Sequence, residues 1–300
     1  MTALLLLAAC LALGVFAARF LAVPANAPAV IGFWVLDLAF PALVLVNVPH
    51  MALAWDLAFP AFAAWATFLG ALVFFTVLGR SLHWTRGTIG ALTLTAGLGN
   101  TAFMGLAMIE SLRGKDHLGA ALIADQLGSF LALSTGGVMV AAACGGGSVG
   151  AAQIAKKVFT FPPLLALLAG FAVRALGGWP PVVEGVLHRI GDTLVPLALF
   201  SVGLQLKLSR SEAGLSLPLM AGLGWKLVLA PALVMATGLV CGVKGIAYTA
   251  GVLQAAMAPM ITAGILAEQW QLNNPLTQRI VGLGIVLSLG TVLAWNALLP

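Results

Sequence analysis

The sequence predicts an all-α polytopic membrane protein of ten transmembrane helices, arranged as two inverted five-helix repeats in which helices 4 and 9 are broken. Three observations lead there. The composition is unlike that of a soluble chain, ten apolar runs are divided five and five by a glycine-rich connector, and one run in each half is interrupted midway.

Of 300 residues, 61% are hydrophobic and 8% charged, against roughly 25% charged in a soluble globular chain. Mean hydropathy is +1.09. A spanning helix takes about 20 apolar residues, so ten use about 200 of the chain and leave short connectors. An extramembrane catalytic domain, a coiled coil and a disordered tail are excluded for want of residues. The formal charge is +5, but the basic residues are scattered singly or in pairs and form no stripe that would hold nucleic acid. Cys10, Cys144 and Cys241 lie far apart without metal-ligand spacing, which argues against a disulfide framework and against a bound metal.

Apolar runs bounded by charge, proline or glycine fall at 2–22, 29–48, 57–79, 86–112 and 118–143, then at 158–176, 185–206, 215–240, 245–270 and 277–299. Leu7-Ala8-Ala9-Cys10 has the look of a lipoprotein cleavage box, yet no Lys or Arg precedes Arg19, so the first run reads as a retained helix. The division is a first repeat at 1–143, a linker at 144–157 carrying Lys156 and Lys157, and a second repeat at 158–300.

Connector charge sets the orientation. Arg19, Arg80, Arg86, Lys156, Lys157, Lys207, Arg210 and Arg279 lie in the odd-numbered loops, against Arg113, Lys115, Arg174, Arg189 and Lys244 in the even ones. That bias places the linker in the cytoplasm and both termini outside. Five spans on each side of the linker give the halves opposite orientation, as in inverted-repeat transporters. The halves also share detail. Asp37 and Pro41 recur as Asp192 and Pro196, and the stretch from Gly99 to Glu110 runs parallel to that from Met257 to Glu268.

The chemistry is expected at the interruptions. The fourth and ninth runs are overlong for a bilayer, at roughly 40 Å against about 30 Å of hydrocarbon. Gly97-Leu98-Gly99-Asn100-Thr101 weakens one, and Pro259 breaks the other because it cannot donate to the carbonyl four residues earlier. Freed backbone groups cannot face lipid, and half-helix N-termini suit an anion. Asn100, Thr101, Pro259, Thr262, Gln126 and Lys226 are the candidate substrate-binding residues; Asp125, Ser129 and Gln254 are candidates for a coupling ion or proton. An ionised Asp in hydrocarbon must be paired, protonated or wet. Lys226 could pair with Asp125, attract an anion or snorkel to an interface. Asp37 and Asp192 read as structural.

Two soluble-enzyme patterns carry no weight. Gly146-Gly147-Ser148-Val149-Gly150 fits G-x-S-x-G without a preceding strand, and Gly97 to Ala102 fits a dinucleotide fingerprint inside a span. No nucleophile with a base is present, so an intramembrane enzyme is not expected.

Several segments together resemble the auxin efflux carrier family, which includes bacterial malate and malonate permeases and is related to plant PIN proteins. They are Phe40-Pro41-Ala42-Leu43, Asn100-Thr101-Ala102-Phe103-Met104-Gly105-Leu106, Asp125-Gln126-Leu127-Gly128, the run from Val195 to Gly203, Lys226-Leu227-Val228-Leu229-Ala230-Pro231, and Ala256-Met257-Ala258-Pro259. The resemblance implies a ten-helix fold similar to the bile acid:sodium symporters. Helices 1, 2, 6 and 7 would form a scaffold and the rest a transport unit, with broken helices 4 and 9 crossing at the substrate. It also implies elevator-like alternating access. Asn100 matches the family's asparagine at the first crossover and Pro259 its proline at the second. The PIN pattern has a proline before that asparagine, where this chain has Gly99, and the long PIN loop is absent.

The function so implied is secondary active or voltage-driven transport of a small organic anion, a mono- or dicarboxylate. The alternatives are sodium-coupled symport of the bile acid symporter type, or a membrane receptor or sensor using the same pocket. No cofactor is expected beyond Na+ or H+ as a coupling ion. The expected partners are the anion, the lipid bilayer and, in a homodimer, a second copy of the chain; the expected location is a bacterial inner membrane.

Overall fold

The computed structural model describes residues 2–50, 57–205 and 215–300. Lys207 and Arg210, counted above among the connector charges, lie outside the described residues. Every element among the described residues is helical, and the one β-type contact is an isolated antiparallel bridge between Gly99 and Pro259.

In chain order the helices are α1 (Thr2–Phe20), α2 (Ala27–His50), α3 (Ala58–Ser81), α4 (Arg86–Gly97), α5 (Leu106–Arg113), α6 (Lys115–Gly145), α7 (Ala151–Phe159), α8 (Pro162–Ala175), α9 (Pro181–Gln205), α10 (Leu217–Val240), α11 (Gly245–Ala256), α12 (Ile261–Gln269) and α13 (Asn274–Leu298). Six of these, α2, α3, α6, α9, α10 and α13, are long and apolar enough to cross a membrane, and α1 and α8 are shorter apolar helices. The fourth and ninth apolar runs are each two helices, α4 with α5 and α11 with α12. The predicted linker is irregular from Gly146 to Gly150 and then turns helical as α7.

Several long helices depart from α geometry at the polar residues they carry. Wider π turns occupy Trp34–Ala39 around Asp37, Ala124–Phe130 around Asp125 and Gln126, and Trp225–Leu229 around Lys226. Such turns are often found at functional sites.

Proline inside a helix frees the carbonyl four residues earlier, which cannot be left unpaired in lipid. Two tryptophans supply the missing donors. Pro49 strands the Leu45 carbonyl, and the Trp179 indole donates to it at 2.9 Å. Pro231 strands the Leu227 carbonyl, and the Trp295 indole donates to it at 2.9 Å.

The chain forms two compact units, and neither is one half of the sequence. The first gathers α1, α2, α5, the start of α6, α8 and α9. Here small residues allow helix backbones to touch: a Cβ on Gly14 of α1 would collide with the Phe200 carbonyl and the Gly203 backbone of α9. Lys115 holds Asp192, at the turn within α9, at 3.4 Å, in keeping with a structural role for that aspartate.

The second unit gathers α3, α4, the rest of α6 and α10 to α13. Its axis is α3, whose buried residues Phe59, Ala63, Thr67, Ala71, Phe75 and Gly79 recur every four positions and so make one stripe. Against it pack α4 through Gly97, α6 through Gly128 and α11 through Gly251. Thr85 caps α4 by accepting from the Thr88 amide at 3.2 Å, and Asn273 caps α13 by accepting from Leu276 at 3.3 Å.

Candidate functional site

The site lies in the second unit, where two interrupted helices meet. Helix α4 ends at Gly97 and α11 at Ala256, and extended residues follow each. The two extended stretches pair. The Asn100 amide donates to the Ala258 carbonyl at 2.8 Å, and the Met260 amide to the Leu98 carbonyl at 3.0 Å. Backbone groups released by the breaks are thus satisfied by one another, which lets both chains leave helical geometry away from water. The predicted interruptions fall where expected, and what the sequence did not reveal is that each completes the other.

Gly99 takes the bridge position opposite Pro259 for a steric reason. A Cβ at residue 99 would sit 2.9 Å from the Lys226 Nζ and 3.3 Å from the Gln254 carbonyl oxygen. The ammonium of Lys226 fills the space a side chain would need. Pro259 is accommodated in turn by α13, where a Cβ on Gly284 would collide with the proline ring.

Lys226 is 1% exposed and donates to the Ala255 carbonyl at 3.0 Å. It neither pairs with Asp125 nor snorkels, two of the readings open from sequence. Its Nζ is docked on the Ala255 carbonyl in the last turn of α11, at the negative end of that helix. Asp125 is 3% exposed; its Oδ1 accepts from the Thr101 hydroxyl at 2.5 Å and its Oδ2 from the Gln126 amide at 2.7 Å. Both oxygens accept, as a carboxylate's do. Gln254 donates to the Thr101 carbonyl at 3.3 Å, which ties α11 to the residue following the first break.

Asn100, Thr101, Asp125, Gln126, Lys226, Gln254 and Pro259 therefore form one buried cluster. Ser129 is buried one turn along α6 from Asp125. Thr262 lies apart from this buried cluster, exposed on the first turn of α12, because the helix restarts at Ile261 and turns that position outward. Gly284 and Trp295 were missed. The signals available were a glycine pair inside an apolar span and a tryptophan able to serve a proline elsewhere.

Buried polar atoms here that lack a partner among the described residues include the Asn100 Nδ2 and the Gln126 Oε1. Buried polar groups are normally satisfied, so an unpaired amide donor at the crossing of two broken helices is a place for an acceptor. The Lys226 Nζ lies against the same stretch, 2.9 Å from where a Cβ on Gly99 would sit, and α12, whose leading amides have no intrahelical carbonyl to bond, begins two residues after Pro259. The donor set suits an oxyanion. Among the described residues no group of three or more His, Cys, Asp or Glu could hold a metal ion.

Comparison with known proteins places this chain in a family. The pattern described as "Membrane transport protein" matches residues 1–296. The chain belongs to the membrane transport protein family. It is thus an integral membrane protein of a transporter family, not of an enzyme family. Among the relatives of this transporter is an uncharacterized transporter of Methanothermobacter thermautotrophicus, 27% identical over 78% of this chain and 75% of its own length. An uncharacterized transporter of Methanocaldococcus jannaschii is 24% identical over 77% of the transporter described here and 75% of its own length. Auxin efflux carrier component 8 of Arabidopsis thaliana is 28% identical over 48% of this chain and 41% of its own length. The auxin efflux carrier resemblance read from the sequence agrees with these matches.

Proposed function

We propose that the transporter carries a small organic anion, a mono- or dicarboxylate, by elevator-type alternating access of a ten-helix, inverted-repeat fold, with the carboxylate held at the crossing. The observation that carries this reading is the unpaired Asn100 amide nitrogen at mutually bonded helix breaks. A carboxylate accepts hydrogen bonds and donates none, so it satisfies that nitrogen without stranding a donor of its own. Lys226 offsets the anion's charge.

The second unit carries both Asp125 and Lys226, whose charges cancel. Passage of a monocarboxylate then moves one net negative charge, and membrane voltage drives it. Sodium coupling is the weaker alternative, since the Lys226 ammonium already occupies the α11 carbonyl at which a cation would dock.

A second reading, proton coupling, is favoured by the free Gln126 Oε1. Rotating that amide by half a turn would give a protonated Asp125 an acceptor, so the pair can satisfy either protonation state.

The test is uptake by purified protein in liposomes under separately imposed voltage, proton and sodium gradients. Carboxylate uptake that follows voltage and ignores replacement of sodium supports the main reading, and uptake that follows only the proton gradient supports the second. Saturable binding without flux under any gradient would mark a receptor instead and end the transport proposal.

A further inference from the structure

Helix α7 takes no part in the crossing. It is amphipathic in a strict sense: Ala151, Ile154, Ala155 and Val158 recur at the i, i+3, i+4, i+7 spacing of one helical face, with Phe159 at its edge. Gln153 and Lys156 stand three residues apart on the other face, both exposed, and Lys157 adds a second positive charge to the sequence there. No acidic residue lies between Gly145 and Phe161. The apolar edge is not fully covered by protein, since Phe159 is 68% exposed and Ala151 and Ala155 are exposed with it.

The chain fixes where this helix can be. Helix α6, long and apolar enough to span, ends at Gly145, and five residues separate it from α7. Five extended residues reach at most about 18 Å. Only Thr160 and Phe161 then separate α7 from the apolar α8. A helix tethered so closely on both sides to membrane segments stays at the water–lipid boundary. With one apolar face and one cationic face, it has the form of a helix lying in the plane of that boundary.

We propose that α7 lies along the membrane surface and binds anionic lipid headgroups through its Lys156–Lys157 face, with Ile154, Val158 and Phe159 set at the acyl boundary. The occupant is a lipid surface of negative charge, chosen by two lysines in a stretch that carries no acidic residue and by the tether. Attraction of this kind falls off within a Debye length and is weakened by salt.

The experiment is hydrogen–deuterium exchange, followed by mass spectrometry, of the full chain in nanodiscs. The discs contain phosphatidylcholine alone or with about a quarter phosphatidylglycerol. The amides of α7 should exchange about tenfold more slowly in the anionic discs, in line with two lysines at a charged surface. Lys156→Glu with Lys157→Glu should abolish that difference, as should high salt. Lys156 is exposed; exchange across α3 and α11 reports whether the fold is intact in the double variant. Equal exchange of α7 in both kinds of disc overturns the proposal, whether fast because nothing covers the helix or slow because protein does. A lipid dependence that survives the double substitution overturns it too.

Discussion

The Lys226 ammonium and the Gly99 backbone share one space: a Cβ at residue 99 would lie 2.9 Å from the Lys226 Nζ. The glycine at the first break, after α4, and the buried lysine of α10 are one design. Gly99→Ala should displace the ammonium from the Ala255 carbonyl and lower transport at least tenfold. Combining it with Lys226→Met should cost much less than the sum of the two, because the colliding atom is gone. Initial uptake rates for the two single variants and the double variant measure that coupling.

Lys226→Met alone separates function from stability. The substitution relieves the cost of burying a charge but strands the Ala255 carbonyl that Lys226 serves at 3.0 Å, which costs roughly 1–3 kcal/mol, so thermal unfolding in detergent should move by no more than about 2 kcal/mol equivalent. Transport should nevertheless fall by at least an order of magnitude, because the anion would lose the one buried cation beside it. A parallel loss of both would make Lys226 a structural residue only.

The tryptophan that serves Pro231 gives a stability prediction. Trp295→Phe keeps most of the ring but removes the N–H that the Leu227 carbonyl accepts at 2.9 Å. A buried acceptor left unsatisfied costs roughly 1–3 kcal/mol, and the π turn carrying Lys226 is the segment it would loosen. Denaturation midpoints should drop for Trp295→Phe. A Phe replacement of Trp270, whose indole makes no such bond to a proline-freed carbonyl, should have the smaller effect.

Packing behind the second break is testable through two glycines of α13. Gly284→Ala places a Cβ into the Pro259 ring, whereas Gly290 has open space around it. Overpacking of this kind costs typically about 1–3 kcal/mol. Gly284→Ala should therefore lower thermal stability and Gly290→Ala should leave it unchanged, with transport following the same order.

Much of this architecture was legible in the residues. Low charge and long apolar runs are direct consequences of a lipid solvent, so the helices and most of their limits could be read. Gly97 to Thr101 and Pro259 announced the breaks through backbone chemistry that needs no partner to recognise. What could not be read were relations across the fold. Nothing local to Asn100 says that its amide meets Ala258, and nothing local to Trp179 or Trp295 says that each serves a proline in another helix. The fate of Lys226 was open for the same reason: pairing, snorkelling and helix capping look alike until the neighbour is known. The exposure of Thr262 could not be read either, because proximity to Pro259 in sequence says nothing of the direction in which a restarted helix points its first turn.

The central claim is that the unpaired amide nitrogen of Asn100 receives a carboxylate. Titration calorimetry of wild type and Asn100→Ala with a panel of small mono- and dicarboxylates tests it most directly. Because that nitrogen has no partner among the described residues, the variant should fold as stably as wild type, yet bind its best carboxylate at least tenfold more weakly, in line with loss of a hydrogen bond to a charged group. Equal affinity in the two proteins, or no carboxylate bound by either, would contradict the account.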